Sequence, residues 1–163
     1  MTVVQTLKKV ICLVMAVGIY LFAGYIGSLY TTPSIPTWYA GLQKPELNPP
    51  TWVFEPVWTA LYILMGISLC LIWQSGIAKK EVLLGFILFV IQLGLNIGWS
   101  YLFFGMHTIF YAFICIIALW TVLLCTILQV SRSSVIAGAL LIPYLLWVSF
   151  ATYLNWAIMI LNT

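Results

Sequence analysis

The feature that most constrains this chain is the spacing of its polar interruptions. Only residues 30–52, 74–81, 105–108 and 131–134 break an otherwise apolar sequence. Each run between them reaches the about 20 residues that a helix needs to cross ~30 Å of hydrocarbon. With no water to satisfy backbone N–H and C=O groups there, a spanning segment must be a helix or part of a closed barrel, and runs of this length are helical. The spacing therefore predicts an all-α integral membrane bundle of five transmembrane helices, at about 8–29, 54–74, 82–104, 109–130 and 135–160. The first interruption is long, and six of the seven prolines lie in it or just after it. It is expected to form a Pro-rich lid loop over about 30–52, within a single domain covering 1–163.

Composition agrees with this. Charged residues make up 6% of the chain, against roughly a quarter in soluble domains. Too few charges remain to clothe a globule in water, and a disordered chain is excluded as well. Six scattered cations form no basic face, which argues against nucleic acid. The apolar stretch after Lys8 and Lys9 outruns the 7–15 residues of a signal-peptide core, so it is read as a helix.

Lysine and arginine flanking the spans favour the cytoplasm. Lys8, Lys9, Lys79, Lys80 and Arg132 fall on one side of the five-helix arrangement and Lys44 alone on the other. The expected placement is a prokaryotic cell membrane with the N-terminus in the cytoplasm and the Pro-rich loop outside. Pro56 sits in the first turn of the second helix, where its missing N–H breaks no bond. Pro143 lies deeper in the fifth, where it frees a carbonyl that a neighbour must satisfy.

Cys12, Cys70, Cys115 and Cys125 lie in apolar runs without a CxxC pair and read as small hydrophobes. The single histidine, His107, reads as a turn residue, since one histidine builds no multi-ligand metal site. No GxSxG, P-loop, HExxH or paired carboxylate is present, and no charged residue falls in mid-span, which weakens pump and ion-channel readings.

In lipid, helices associate through close packing of small residues and buried hydrogen bonds. The third helix carries Gly94 and Gly98 as a GxxxG, with Gln92, Asn96 and Ser100 at four-residue spacing. The first adds Ala23 with Gly27 and Gly24 with Ser28. The glycines of the third helix serve either packing within the chain or a homodimer seam. Asn96 and Asn155 are costly in hydrocarbon unless paired, so both should face protein.

Aromatic residues are the distinctive resource. Trp73, Tyr101 and Trp156 suit an interfacial belt. Trp58 and Tyr62 stand one turn apart near the loop, Asn96 and Trp99 run toward the same end, and Trp147 lies a turn below Pro143. Together they suggest an aromatic-walled cavity under the lid.

These positions also carry a family pattern. The loop reads Trp38-Tyr39-Ala40-Gly41-Leu42-Gln43-Lys44-Pro45 and Asn48-Pro49-Pro50, and the second helix Phe54-x-Pro56-Val57-Trp58-Thr59 with Leu61-Tyr62-x-x-Met65-Gly66. The third helix has Gln92-x-x-Leu95-Asn96-x-x-Trp99-Ser100, and the fifth Pro143-Tyr144-x-x-Trp147-x-x-Phe150-Ala151-x-x-Leu154-Asn155. Over nearly its whole length the chain resembles the TspO/MBR family of translocator and tryptophan-rich sensory proteins, also called peripheral benzodiazepine receptors. The resemblance implies a pocket for porphyrins such as protoporphyrin IX and for benzodiazepine-site ligands, no required cofactor, and a homodimer. It implies Trp38, Leu42, Pro49, Phe54, Trp58, Tyr62, Asn96, Trp99 and Trp147 as ligand-binding positions. It further implies Trp58 and Trp147 as the pair active in light-dependent porphyrin breakdown, and with a porphyrin as ligand Lys44 is expected at the pocket mouth, pairing with a propionate.

Leu47 and Glu46 depart from the family pattern in the lid. No basic residue follows Tyr153, which disfavours a sterol role. Three readings follow: a porphyrin-binding sensor or carrier, a photo-oxidative porphyrin-degrading enzyme, and a structural protein whose aromatics only pack.

Overall fold

The computed structural model describes residues 3–76 and 79–162. The chain is all-α, with five helices long and apolar enough to cross a membrane among the described residues. Helix α1 covers Val3–Ser34, α2 Phe54–Gln74, α3 Lys80–Ser100, α4 Ile109–Ser131, α5 Val135–Ala139 and α6 Ile142–Leu161. The short α5 and α6 together form the fifth span.

Two elements differ from the sequence reading. The lid was expected from about residue 30, yet α1 runs on through a wider π-helical turn, Ile35–Tyr39, and irregular backbone is confined to 42–50. Proline removes a helical donor and crowds the carbonyl four residues back, and the chain absorbs this by a local change of helical pitch. The widened turn relaxes the ladder around Pro36. The Thr37 hydroxyl donates to the Pro33 carbonyl at 2.9 Å, and Thr31 likewise to Gly27 at 3.1 Å.

The second difference lies in the fifth span, expected as one helix over 135–160. It breaks at 140–141, so that Pro143 opens α6 instead of interrupting it. At the break Leu141 N–H turns back to Gly138 O at 3.1 Å. That leaves Ala137 O without its helical donor, and Ser68 Oγ of α2 takes it at 2.7 Å. The carbonyl freed at the break is thus satisfied by a neighbouring helix, as the chemistry of a membrane interior requires; it is Ala137 O, not the Ala139 carbonyl that Pro143 itself leaves without a donor.

Around the bundle, α1 lies between α2 and α3, α4 between α3 and α6, and α5 packs back on α2. Small residues set the closest approach. A Cβ on Gly66 would fall 2.6 Å from the Val17 backbone, so there the α1 and α2 backbones touch directly, and one on Gly24 would fall 2.5 Å from the Tyr62 ring, on which α1 rests. Toward the connector the two helices splay. The core is filled by Tyr20, Tyr144, Phe89 and Met65, while Val14, Phe22, Leu128 and Leu146 face outward. Trp73, Tyr101 and Trp156 are exposed at span ends, as an interfacial belt requires.

His107 occupies the α3–α4 turn with φ 57°, a left-handed backbone that few side chains adopt. The cysteines are free, with Cys70 buried and Cys125 exposed on the apolar exterior.

Candidate functional site

Where α1 and α2 splay, a cavity of about 640 Å³ opens at the connector end of the bundle. This lies in the range of small-molecule sites, roughly 300–1,000 Å³. Its walls come from four elements with different chemistry. Helix α1 contributes small and hydroxylated positions, Gly27, Ser28 and Thr31, which leave the space. Facing them, α2 presents Phe54, Trp58 and Tyr62 at four-residue intervals on one face, with Glu55 and Thr59 at the rim. Trp99 and Ser100 of α3 and Trp147 and Ala151 of α6 close the far side.

The rings hold one another. Trp58 stacks on Tyr62 with centroids 5.6 Å apart and lies 6.5 Å from Trp99, while Phe54 meets Trp147 edge-on at 6.2 Å. Trp99 is oriented by its indole N–H, which donates to Asn155 Oδ1 at 3.0 Å; Asn155 Nδ2 in turn donates to Ile109 O. Both asparagines singled out in the sequence therefore face protein. Below the floor, Tyr62 Oη donates to Asn96 Oδ1 at 2.6 Å and Asn96 Nδ2 donates to Tyr144 Oη at 3.0 Å. One layer further in, Gln92 Nε2 donates to Tyr20 Oη at 2.9 Å.

Of the sequence-derived positions, Phe54, Trp58, Tyr62, Trp99 and Trp147 come together on the wall. Asn96 stands one layer beneath, touching the cavity only through Tyr62. Trp38, Leu42 and Pro49 lie off the wall. The helical extension through Tyr39 carries Trp38 sideways, where its ring stacks on His107 at 4.3 Å and meets Phe103 at 5.4 Å. Leu42 packs on the Tyr39–Phe103–Phe104 cluster, and Pro49 belongs to the connector that Tyr39 Oη anchors through Asn48 Oδ1 at 2.7 Å. Lys44, expected at the mouth, folds back instead, donating to Ala40 O and Leu42 O at 3.3 and 3.0 Å and covering the Tyr39 ring.

The sequence reading missed Thr31, Thr32, Ile35 and Glu55 as wall residues. The signal was present in the small-residue series Gly24, Gly27, Ser28 and Thr31, which continues on one face past the point where the prolines suggested an end. The cavity also reaches the outer surface between α1 and α2, because exposed Leu21 and Tyr25 are part of its lining.

The fold and cavity define a class: a five-span membrane bundle enclosing an aromatic site at one end. Comparison with known proteins narrows it. The pattern of the TspO/MBR family matches residues 16–161. The chain is 44% identical over 155 residues to the tryptophan-rich protein TspO of Chlorobaculum tepidum, covering 95% of this chain and 98% of that one. It is 42% identical over 158 residues to the TspO of Archaeoglobus fulgidus, covering 97% and 99%. Against the human translocator protein it is 37% identical over 137 residues, covering 82% and 80%. The protein belongs to the TspO/MBR family.

The floor network yields a stability test. Asn96→Leu leaves the buried Tyr62 and Tyr144 hydroxyls without their partner. The expected cost is about 1–2 kcal/mol, between the soluble-core penalty for unpaired polar groups and the smaller membrane average. Thermal unfolding in detergent should show a lower midpoint than wild type, and an unchanged midpoint would exclude the network as a stabilising element.

Proposed function

We propose that this family member is a membrane-embedded binding protein, a sensor or carrier, for flat tetrapyrroles such as protoporphyrin IX. The observation that carries the reading is the stacked pair Trp58–Tyr62 facing small residues of α1 across a cavity of about 640 Å³. A planar macrocycle is already soluble in lipid, so apolar burial alone selects nothing. Stacking does, at ~0.5–1.5 kcal/mol per well-formed pair beyond burial. Benzodiazepine-site ligands, also flat and aromatic, suit the same walls.

Protoporphyrin IX should therefore quench tryptophan fluorescence saturably. Trp58→Ala or Trp147→Ala should weaken binding by about 1–3 kcal/mol, the loss typical of a large aromatic contact. Trp73→Ala, at the far end of α2, is the control and should leave affinity unchanged. Equal losses in all three variants would mean partition into detergent, and the reading would fail.

A homodimer through α3 belongs to the same proposal. Gly94 is exposed, and a Cβ placed there meets nothing within 4 Å, so this glycine serves no packing inside the chain. Gly98 differs, since its Cβ would face Cys115 Sγ of α4 at 3.8 Å. Gly94→Leu alone should convert dimer to monomer in light scattering of the purified protein while porphyrin binding persists. A dimer that survives the change places the seam elsewhere.

The N-terminus is assigned to the cytoplasm of a prokaryotic cell, on the charge asymmetry of Lys8, Lys9, Lys79, Lys80 and Arg132 against Lys44. In a background without native cysteines, Gly41→Cys should react with an impermeant maleimide on intact cells. Reaction only after lysis would reverse the orientation.

A further inference from the structure

The cavity mouth has a polarity that the aromatic walls do not explain. Among the described residues, Glu55 is the one charged group on the lining, and it is exposed in the first turn of α2, where the helix N-terminus favours a negative side chain. Lys44, the nearby cation in the sequence, is held on Ala40 O and Leu42 O and does not reach the wall.

Three hydroxyls of the lining add to this acceptor character. Ser28 Oγ donates its proton to Tyr25 O at 2.7 Å, Thr31 Oγ1 to Gly27 O at 3.1 Å and Thr59 Oγ1 to Glu55 O at 2.9 Å. A hydroxyl has one proton and two lone pairs, so each of these offers the cavity acceptors only. Deeper in, Tyr62 Oη and Trp99 Nε1 also direct their protons to protein, at Asn96 and Asn155. Donors remain on the same lining, in the hydroxyls of Tyr25, Thr32, Thr51 and Ser100 and the indole N–H groups of Trp52, Trp58 and Trp147; the acceptor character belongs to Glu55 and to the hydroxyls of Ser28, Thr31 and Thr59.

We propose that Glu55, with Ser28, Thr31 and Thr59, forms an acceptor subsite that selects the substituents a ligand presents at the mouth. Neutral donor groups and cationic groups are favoured there, and carboxylates are disfavoured. Applied to the tetrapyrrole reading, on which this part rests, the preferred ligand carries its acidic side chains as amides, which offer N–H donors, with the ring between Trp58 and Trp147; an ester removes the repelled charge without adding a donor. Glu55 is then a specificity-determining residue, acting on charge and not on ring stacking.

The test compares protoporphyrin IX with its dimethyl ester by tryptophan quenching, on wild type and Glu55→Gln. Each porphyrin partitions into detergent equally whichever protein is present, so comparing one ligand between wild type and Glu55→Gln cancels partition, and the change in the diacid-to-ester ratio between the two proteins isolates the charge. Removing one negative charge a few ångströms from a carboxylate at a solvated rim should raise affinity for the diacid about three- to tenfold. Affinity for the ester should stay as it was. Saturable binding with an unchanged diacid-to-ester ratio overturns the proposal.

A second arm needs no porphyrin. With the four native cysteines replaced by alanine, Thr59→Cys is reacted with a cationic trimethylammonium methanethiosulfonate and with an anionic sulfonate analogue. Adding Glu55→Gln should lower the cation-to-anion rate ratio about three- to tenfold. If neither porphyrin binds but this ratio falls, the tetrapyrrole reading fails and the acceptor subsite stands. A ratio that does not move overturns the subsite whichever porphyrin binds.

Discussion

Tyr62 is the contact on which the rest of the site depends. Its hydroxyl is bonded to Asn96 of α3 and, through that amide, to Tyr144 of α6. The edge of its ring is the surface against which Gly24 of α1 is pressed, and one of its faces supports Trp58. Four helices are thereby fixed at one level of the bundle. In hydrocarbon, where apolar attraction between helices is absent, such a polar and steric node does the work that a hydrophobic core does in water. Above it α1 and α2 are free to separate, and the cavity is the space that results.

The walls show how different residue classes divide the task. Trp99 owes its orientation to Asn155 and Trp58 to Tyr62, so the aromatic surface is held before any ligand arrives. On the opposite side α1 supplies glycine, serine and threonine, which occupy little volume and keep their protons on their own helix. An aromatic wall facing a small-residue wall makes a slot, and a slot accepts flat molecules.

The five spans were legible because bilayer thickness imposes a length that apolar runs either reach or do not. The aromatic cluster was legible too, since Phe54, Trp58 and Tyr62 repeat at helical spacing and so share a face. What the sequence hid depends on partners distant in the chain. Pro33 and Pro36 signal a helix end, but a widened turn carries α1 past them and takes Trp38 over to His107. Pro143 signalled a strained helix, but the span breaks before it, Ser68, far away on α2, donates to the Ala137 carbonyl that the break frees, and the helix restarts with the proline in its first turn. Lys44 leaves the mouth for the same reason, because backbone carbonyls within its reach capture it locally.

The gap between α1 and α2, lined by exposed Leu21 and Tyr25, changes what concentration means for this site. A ligand arriving through that gap is drawn from the bilayer, so occupancy follows its mole fraction in lipid and not its molarity in water. Doubling the lipid at fixed protein and fixed total ligand halves that mole fraction. An affinity for this protein is therefore defined only together with the lipid-to-protein ratio at which it is measured.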